Sequence, residues 1–451
     1  MTDMPLSRHL RALVALGLPL IGSNVAQLAL HLTNTIMLGW YDITALAAVS
    51  LATAFYVTIY LAGSGFGWAA MPLIAAAAGQ GDDTTIRRVT RMAMWLSIAY
   101  AVLVTSLLLF SGRILLALGQ DPGVVALAQT YLRIVAFGLI PALLVIVLRS
   151  YLAAQDHART VLWVTALAVP LNAGINWLLI FGNAGFPELG IAGAGIASVT
   201  VQTLSALLLA LYAGLHPVFR PQRLFQRFWR ADWAALRRVF SLGWPIGLTN
   251  LSEAGLFNAT AVMMGWIGTA ALAAHGIAME IASVAFMIHM GISNAATVRT
   301  GRFFGGGEGR DLRRGAAMAL LLSGAVTLVV VTSFLTMPEA MIALFLSPQE
   351  ADRAAVLAVG VSLLAAAALF QLGDSTQAMV LGLLRGIQDA RVPMLITAFA
   401  YWMVGVPAGY LLGFHTSLGP QGVWLGLATG LLLAGAMLMA RFWRRALALP
   451  G

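Results

Sequence analysis

Along this chain, apolar runs of helix length alternate with short polar or Gly/Pro-punctuated stretches. The pattern predicts twelve spans, at about 11–38, 44–78, 92–110, 124–148, a fifth that follows Gln155–Arg159 and ends near 181, 189–215, 239–265, 270–298, 315–337, 354–384, 392–414 and 419–442. About 20 apolar residues suffice to cross the hydrocarbon core. The expected fold class is therefore an all-α integral membrane protein with twelve transmembrane helices.

The pattern also repeats. Shifted by 226 residues, Leu16, Gly17 and Pro19 fall on Leu242, Gly243 and Pro245, and Met37, Gly39 and Trp40 fall on Met263, Gly265 and Trp266. The same offset pairs Gly65 with Gly291 and Gly79, Gly81, Arg87 and Arg88 with Gly305, Gly307, Arg313 and Arg314. Later matches need small gaps: Gln155-Asp156 resembles Gln388-Asp389, and Leu189-Gly190 resembles Leu418-Gly419. The division expected is an N-lobe of residues 1–215 with spans 1–6, a basic linker of 216–238, and a C-lobe of 239–451 with spans 7–12. An even number of spans per copy makes the two copies parallel repeats, a plan used by transporters.

Composition agrees with this class. The hydrophobic fraction is 60%, charged residues are 10% and mean hydropathy is +0.88. Cysteine is absent, which excludes disulfides and thiolate metal sites. The first span is too long for a signal peptide and is expected to be retained. All 26 basic residues are arginine, and the net charge is +9. In a soluble protein this would suggest nucleic acid; here alternation of the spans places every arginine except Arg113, Arg133 and Arg353 on one side. Positive charge marks the cytoplasmic side, so both termini and the linker are expected there and no nucleic-acid partner is expected. The linker carries Arg220, Arg223, Arg227, Arg230, Arg237 and Arg238 beside Trp229 and Trp233. It reads either as an amphipathic helix on the anionic leaflet or as a solvated basic loop.

Three carboxylates interrupt apolar runs: Glu253 in span 7, Glu280 in span 8 and Asp374 in span 10. A charge at mid-membrane costs about 2.5–3.5 kcal/mol on insertion scales, and such residues face interiors or cavities and mark ion paths. Loading the acids with a proton or Na⁺ would neutralise them, a means of coupling. On span 7, Asn250, Glu253, Phe257 and Thr260 share a helix face, and the repeat puts Asn24, Gln27, His31 and Asn34 on the same face of span 1. His31 reads either as a titrating substitute for the acid missing from the first copy or as a packing residue. Pro19, Pro72, Pro141, Pro170, Pro245, Pro393 and Pro407 lie in or at the edge of spans, as static kinks or as points of bending. Met263, Met264, Phe257, Met279 and Phe286 either line an adaptable cavity or face lipid and neighbouring helices.

The string LGWP followed by Glu253, ALAAH at Ala271–His275, LRGIQD at Leu384–Asp389 and YWMVGVPAGY at Tyr401–Tyr410 together resemble the multidrug and toxic compound extrusion (MATE) transporters, in their NorM-like branch. The resemblance spans nearly the whole chain. It implies a secondary antiporter of the bacterial inner membrane that exports organic cations or amphipathic compounds in exchange for Na⁺ or H⁺ by alternating access. It also implies that Glu253 and Asp374 carry the coupling ion, which is left open between Na⁺ and H⁺, with those two acids as the Na⁺ site if Na⁺ is the ion, and that no other cofactor is needed. Three departures from the family stand out: Asn34 replaces an aspartate frequent in span 1, Phe370 replaces a tyrosine one turn before the span-10 aspartate in Na⁺-coupled members, and Glu280 replaces a neutral polar residue. The chain is expected to act as a monomer in the bilayer on small-molecule organic cations, and not as an enzyme. Rival readings are a lipid-linked oligosaccharide flippase of the same superfamily and a membrane-embedded lipid-processing enzyme.

Overall fold

The computed structural model describes residues 4–346 and 353–449. In chain order the helices are α1 (Leu6–Tyr41), α2 (Ile43–Gly79), α3 (Asp83–Leu109), α4 (Ser111–Ala117), α5 (Pro122–Ala154), α6 (Ala158–Leu179) and α7 (Ile191–Leu215). They continue with α8 (Trp233–Ile267), α9 (Thr269–Gly306), α10 (Gly309–Thr336), α11 (Pro338–Ala343), α12 (Arg353–Gly386), α13 (Arg391–Phe399), α14 (Val406–Phe414) and α15 (Pro420–Leu447). A six-residue π-helix, Ala400–Gly405, joins α13 to α14 just before Pro407. Pro407 has no N–H to continue the α-helical ladder, and a π-turn is one way a helix absorbs such a break.

Eleven of these, counting Arg391–Phe414 as one, are long and apolar enough to cross a membrane. The 35-residue α8 is as long but is diluted by Asn250, Glu253 and Asn258. With it the chain has its twelve spans, α4 and α11 being short helices outside the count. Most spans exceed the sequence limits because their polar ends stay helical; α1 has 36 residues.

The chain forms two compact units. The N unit comprises residues 22–248 and the C unit residues 1–21 and 249–451, so the basic segment 216–238 lies inside the N unit and both cuts fall within helices, α1 and α8. In the N unit, α5 packs against α2, α3 and α7. Its Leu132, Ala136, Leu139 and Leu143 belong to one buried cluster with Leu38, Ala52, Leu108 and Ala194. In the C unit, α12 takes the corresponding place, against α9, α15 and α10.

The repeat recurs in the backbone. Gly81 and Gly307, 226 apart, both adopt φ near +70° (69° and 72°), and the next residue's N–H closes on the carbonyl five residues back, Asp82 on Ala77 and Glu308 on Phe303, each at 2.9 Å. Gly190 and Gly419 precede α7 and α15 with nearly identical angles, φ 50°, ψ −122° and φ 51°, ψ −125°. After α5 and α12 the left-handed residues are Asp156 and Gln388, one position off the alignment expected from the shared Gln-Asp pair. Gly65 and Gly291 act alike within their units. A Cβ on Gly65 would strike the backbone of Gly243 and Gly247, and one on Gly291 the backbone of Ile21.

Between lipid-embedded helices close backbone approach replaces the hydrophobic drive of water. In the C unit Gly405, Gly409 and Gly413 face Gly422, Gly426 and Gly430 of α15. A Cβ on Gly426 would run into the backbone of Gly409, and one on Gly430 would come within 2.9 Å of Gly405 Cα.

The basic segment is not an amphipathic helix up to α8; it is a basic loop whose arginines are exposed and which three buried side chains anchor. Pro217 and Pro221 break the helical ladder, and the chain instead makes a 3₁₀ turn over Pro217–Gln222 and further turns up to α8. Phe219, Gln222 and Leu224 are buried. Gln222 accepts from Tyr151 Oη at 2.5 Å and donates to Asp83 Oδ1 at 2.9 Å.

Candidate functional site

On α12, Asp374, Gln377, Leu381 and Arg385 recur at i, i+3, i+7 and i+11, so one helix face carries an acid, an amide and a guanidinium. On α8, Asn250 and Glu253 are three apart and share a face. The two faces meet inside the C unit. Gln377 Nε2 donates to Glu253 Oε1 at 2.6 Å, and Arg385 Nη2 donates to Asn250 Oδ1 at 3.2 Å. Tyr401, in the π-helical segment and fully buried, donates its hydroxyl to Gln377 Oε1. Both ends of the Gln377 amide are thus used, and its orientation is fixed.

Asp374 is 1% exposed, and its Oδ1 has no hydrogen-bond partner among the described residues. Gln371, one turn earlier, is 0% exposed with neither amide atom satisfied among the described residues. Unmatched buried polar atoms are rare and call for a water, an ion or a functional role. Asp374 also lies in electrostatic range of Glu253, and Glu253 in range of Arg385. Beside them stands an apolar wall. Phe370 meets Phe257 edge-on at 6.2 Å and Trp424 at 5.3 Å, and Trp424 Nε1 donates to His275 Nδ1 at 3.1 Å.

The other residues singled out in the sequence lie elsewhere. Glu280 is on the exposed surface of α9 and makes no hydrogen bond or ion pair among the described residues; it does not join Glu253 and Asp374. Thr260 is buried and donates within its own helix, to Leu256 O at 2.9 Å. In the N unit His31 is exposed and Gln27 half-buried. Asn34 accepts from Asn176 Nδ2 at 2.6 Å and donates to Ser198 Oγ at 3.2 Å, while Asn176 also donates to Asn172 at 3.1 Å. Asparagine thus fills that position within an amide network. Among the described residues every carboxylate of the N unit sits at a helix end or in a connecting turn or loop.

Sequence reasoning missed Arg149, Arg385, Gln371 and Gln377. The two arginines looked like cytoplasmic span ends, yet both turn inward. Arg149 is 7% exposed and donates to Asn24 Oδ1 at 3.1 Å, matching the bond of Arg385 to Asn250. A signal was present: each arginine lies inside the last turns of its unit's central span, five residues before the end of α5 and one before the end of α12.

The MatE family model matches residues 19–178 and 245–411. The chain belongs to the MATE family. Both matched segments begin on a proline, Pro19 and Pro245, at the repeat distance, and the second contains Glu253, Asp374, Arg385 and Tyr401. The "Probable multidrug resistance protein NorM" of Agrobacterium fabrum is 42% identical over 434 residues, 96% of this chain and 93% of that protein. A protein of the same name from Pseudomonas aeruginosa is 37% identical over 444 residues, 98% of this chain and 91% of its own length. A crystal structure of a MATE protein in complex with MaL6 has the same fold, with a TM-score of 0.89 over 98% of this chain and 97% of that chain at 21% identity. As a MATE protein this is a multi-pass integral membrane protein, and its polar cluster lies in the second copy of the family module.

Proposed function

We propose that this chain is a secondary multidrug efflux antiporter of the bacterial inner membrane, exporting organic cations or amphipathic compounds in exchange for Na⁺ or H⁺, with Glu253 and Asp374 as the coupling acids. The transport class rests on the kinship with NorM-named proteins. The observation that carries the coupling site is Asp374, buried with an orphan oxygen next to the unsatisfied Gln371 and in the field of Glu253. A proton or a Na⁺ arriving there supplies the missing partner and cancels a charge that the membrane interior opposes. Gln377 and Tyr401 hold Glu253 in place while that charge changes. Arg385 balances Glu253, so the cluster tolerates one ionised acid and is unbalanced by two. The N unit, with asparagines in place of acids, contributes no second coupling carboxylate in this reading.

The test is efflux of a fluorescent organic cation from proteoliposomes of the purified protein, driven by an imposed Na⁺ gradient or separately by a pH gradient. Efflux under either gradient, lost in Asp374→Asn, supports the reading and names the ion. Silence under both in folded protein overturns it and favours a lipid-type substrate.

A further inference from the structure

Transport leaves one built feature of the N unit without a role. Arg87, Arg88 and Arg91, in the first turns of α3, and Arg223, Arg227 and Arg230, from the segment between α7 and α8, line a single cavity of about 570 Å³. Asp232, the one acid in its lining, pairs with Arg88 Nε at 3.3 Å. Five guanidinium charges stay without a carboxylate inside the lining.

Their donors are not all used. Arg91 is 6% exposed and donates through Nη1 to the carbonyls of Gln226 and Arg227 at 2.9 and 2.8 Å, yet its Nε is buried with no partner among the described residues. The Nε of Arg87 is in the same state. Arg223 and Arg227 adopt left-handed backbone, φ 45° and 55°, which costs a non-glycine residue of order 1–2 kcal/mol. The segment is therefore held in a conformation that gathers like charges, and an anion is the missing member.

The surroundings say which anion. Trp233 lines the cavity, and it and nearby Trp229 are 74% and 77% exposed. Trp95, one turn beyond Arg91 on α3, donates to Phe228 O at 3.1 Å. Tryptophans gather at the headgroup level of a bilayer, and beyond Trp95 α3 continues as an apolar span. Guanidinium forks match phosphate oxygens bidentately, and basic pockets between membrane helices suit phospholipid headgroups.

We propose that this cavity is a headgroup site for an anionic phospholipid, best filled by one carrying two phosphates. The lipid would neutralise the gathered arginines and pin the α7–α8 segment to α3.

Binding to the full-length protein in detergent is measured by native mass spectrometry with cardiolipin, phosphatidylcholine and inorganic phosphate as probes. The variant is Arg223→Asn, Arg227→Asn and Arg230→Gln combined; all three side chains are exposed, and asparagine tolerates the left-handed backbone. Cardiolipin is expected to bind at least about tenfold more tightly than phosphatidylcholine, and the variant to bind it about fivefold more weakly per arginine lost. If the triple variant does not fold, Arg230→Gln alone shows the single fivefold step. Equal binding of phosphatidylcholine, unchanged cardiolipin binding in a folded variant, or equally tight binding of inorganic phosphate would overturn a lipid site.

Discussion

Arg385 of α12 hydrogen-bonds Asn250 of α8 at 3.2 Å, one turn from Glu253. The bond ties a part-buried guanidinium to the helix that carries the acid, and each element loses a charge-assisted contact if the arginine goes. Arg385→Gln is expected to cost about 2 kcal/mol of stability, read as a lower thermal midpoint in detergent. An unchanged midpoint would show that the pair is not structural.

Glu253→Gln preserves the shape that Gln377 Nε2 meets at 2.6 Å. The variant should fold and insert like the parent while gradient-driven efflux falls to the level of protein-free liposomes. Efflux equal to the parent's would remove Glu253 from coupling.

Gln371 separates the two coupling ions. Its amide oxygen has no partner among the described residues and lies one turn from Asp374, so it is available to a metal cation and unneeded by a proton. If Na⁺ drives transport, Gln371→Leu should raise the Na⁺ concentration giving half-maximal efflux. With a proton-driven protein the same substitution should leave the pH profile in place.

Gly426→Ala tests the glycine contact between α14 and α15. The added methyl meets the Gly409 backbone rather than a movable side chain, and overpacking of this kind costs about 1–3 kcal/mol. Gly324→Ala, with open space around its Cβ, is the control and should leave the thermal midpoint unchanged.

Asp82 supplies a pH-dependent contribution outside the spans. It caps α3, accepting from Thr85 N at 3.0 Å and from Thr85 Oγ1 at 2.5 Å, and these bonds hold its carboxyl below the usual range. With the folded value depressed, its stabilisation is present above the unfolded value near 3.9 and is lost as pH falls through the folded one. Asp82→Ala should cost about 1 kcal/mol at neutral pH, and the gap between the two melting curves should close in acid.

The spans, the duplication and the isolated acids were legible because each leaves a local mark: a run of apolar residues, a fixed offset, a charge where none is expected. Glu253 and Asp374 stood out in that way, and they do share a cluster. Glu280 stood out equally and lies on an exposed face, since a sequence says that a helix carries a charge without saying toward which neighbour it turns. Arg149 and Arg385 were hidden by the opposite effect. Arginine near a span end has an ordinary explanation in membrane sidedness, and only the packing of α5 and α12 shows that these two turn inward. For 216–232 the sequence left helix and loop open, and Pro217 and Pro221 decide for the loop.

The π-helical stretch Ala400–Gly405 also sets a phase. An α-helix turns about 100° per residue, and a π-turn holds one residue more than the α-turn it replaces. Removing a single codon within 400–405 would let the stretch before Pro407 close into α-helical turns and swing one flank by about that angle. Either Tyr401 would rotate away from Gln377 or Gly409 and Gly413 would rotate away from α15. The spare residue lets one helix serve two partners whose directions an unbroken α-helix cannot satisfy together, so a one-residue deletion there should do more harm than most substitutions in the same span.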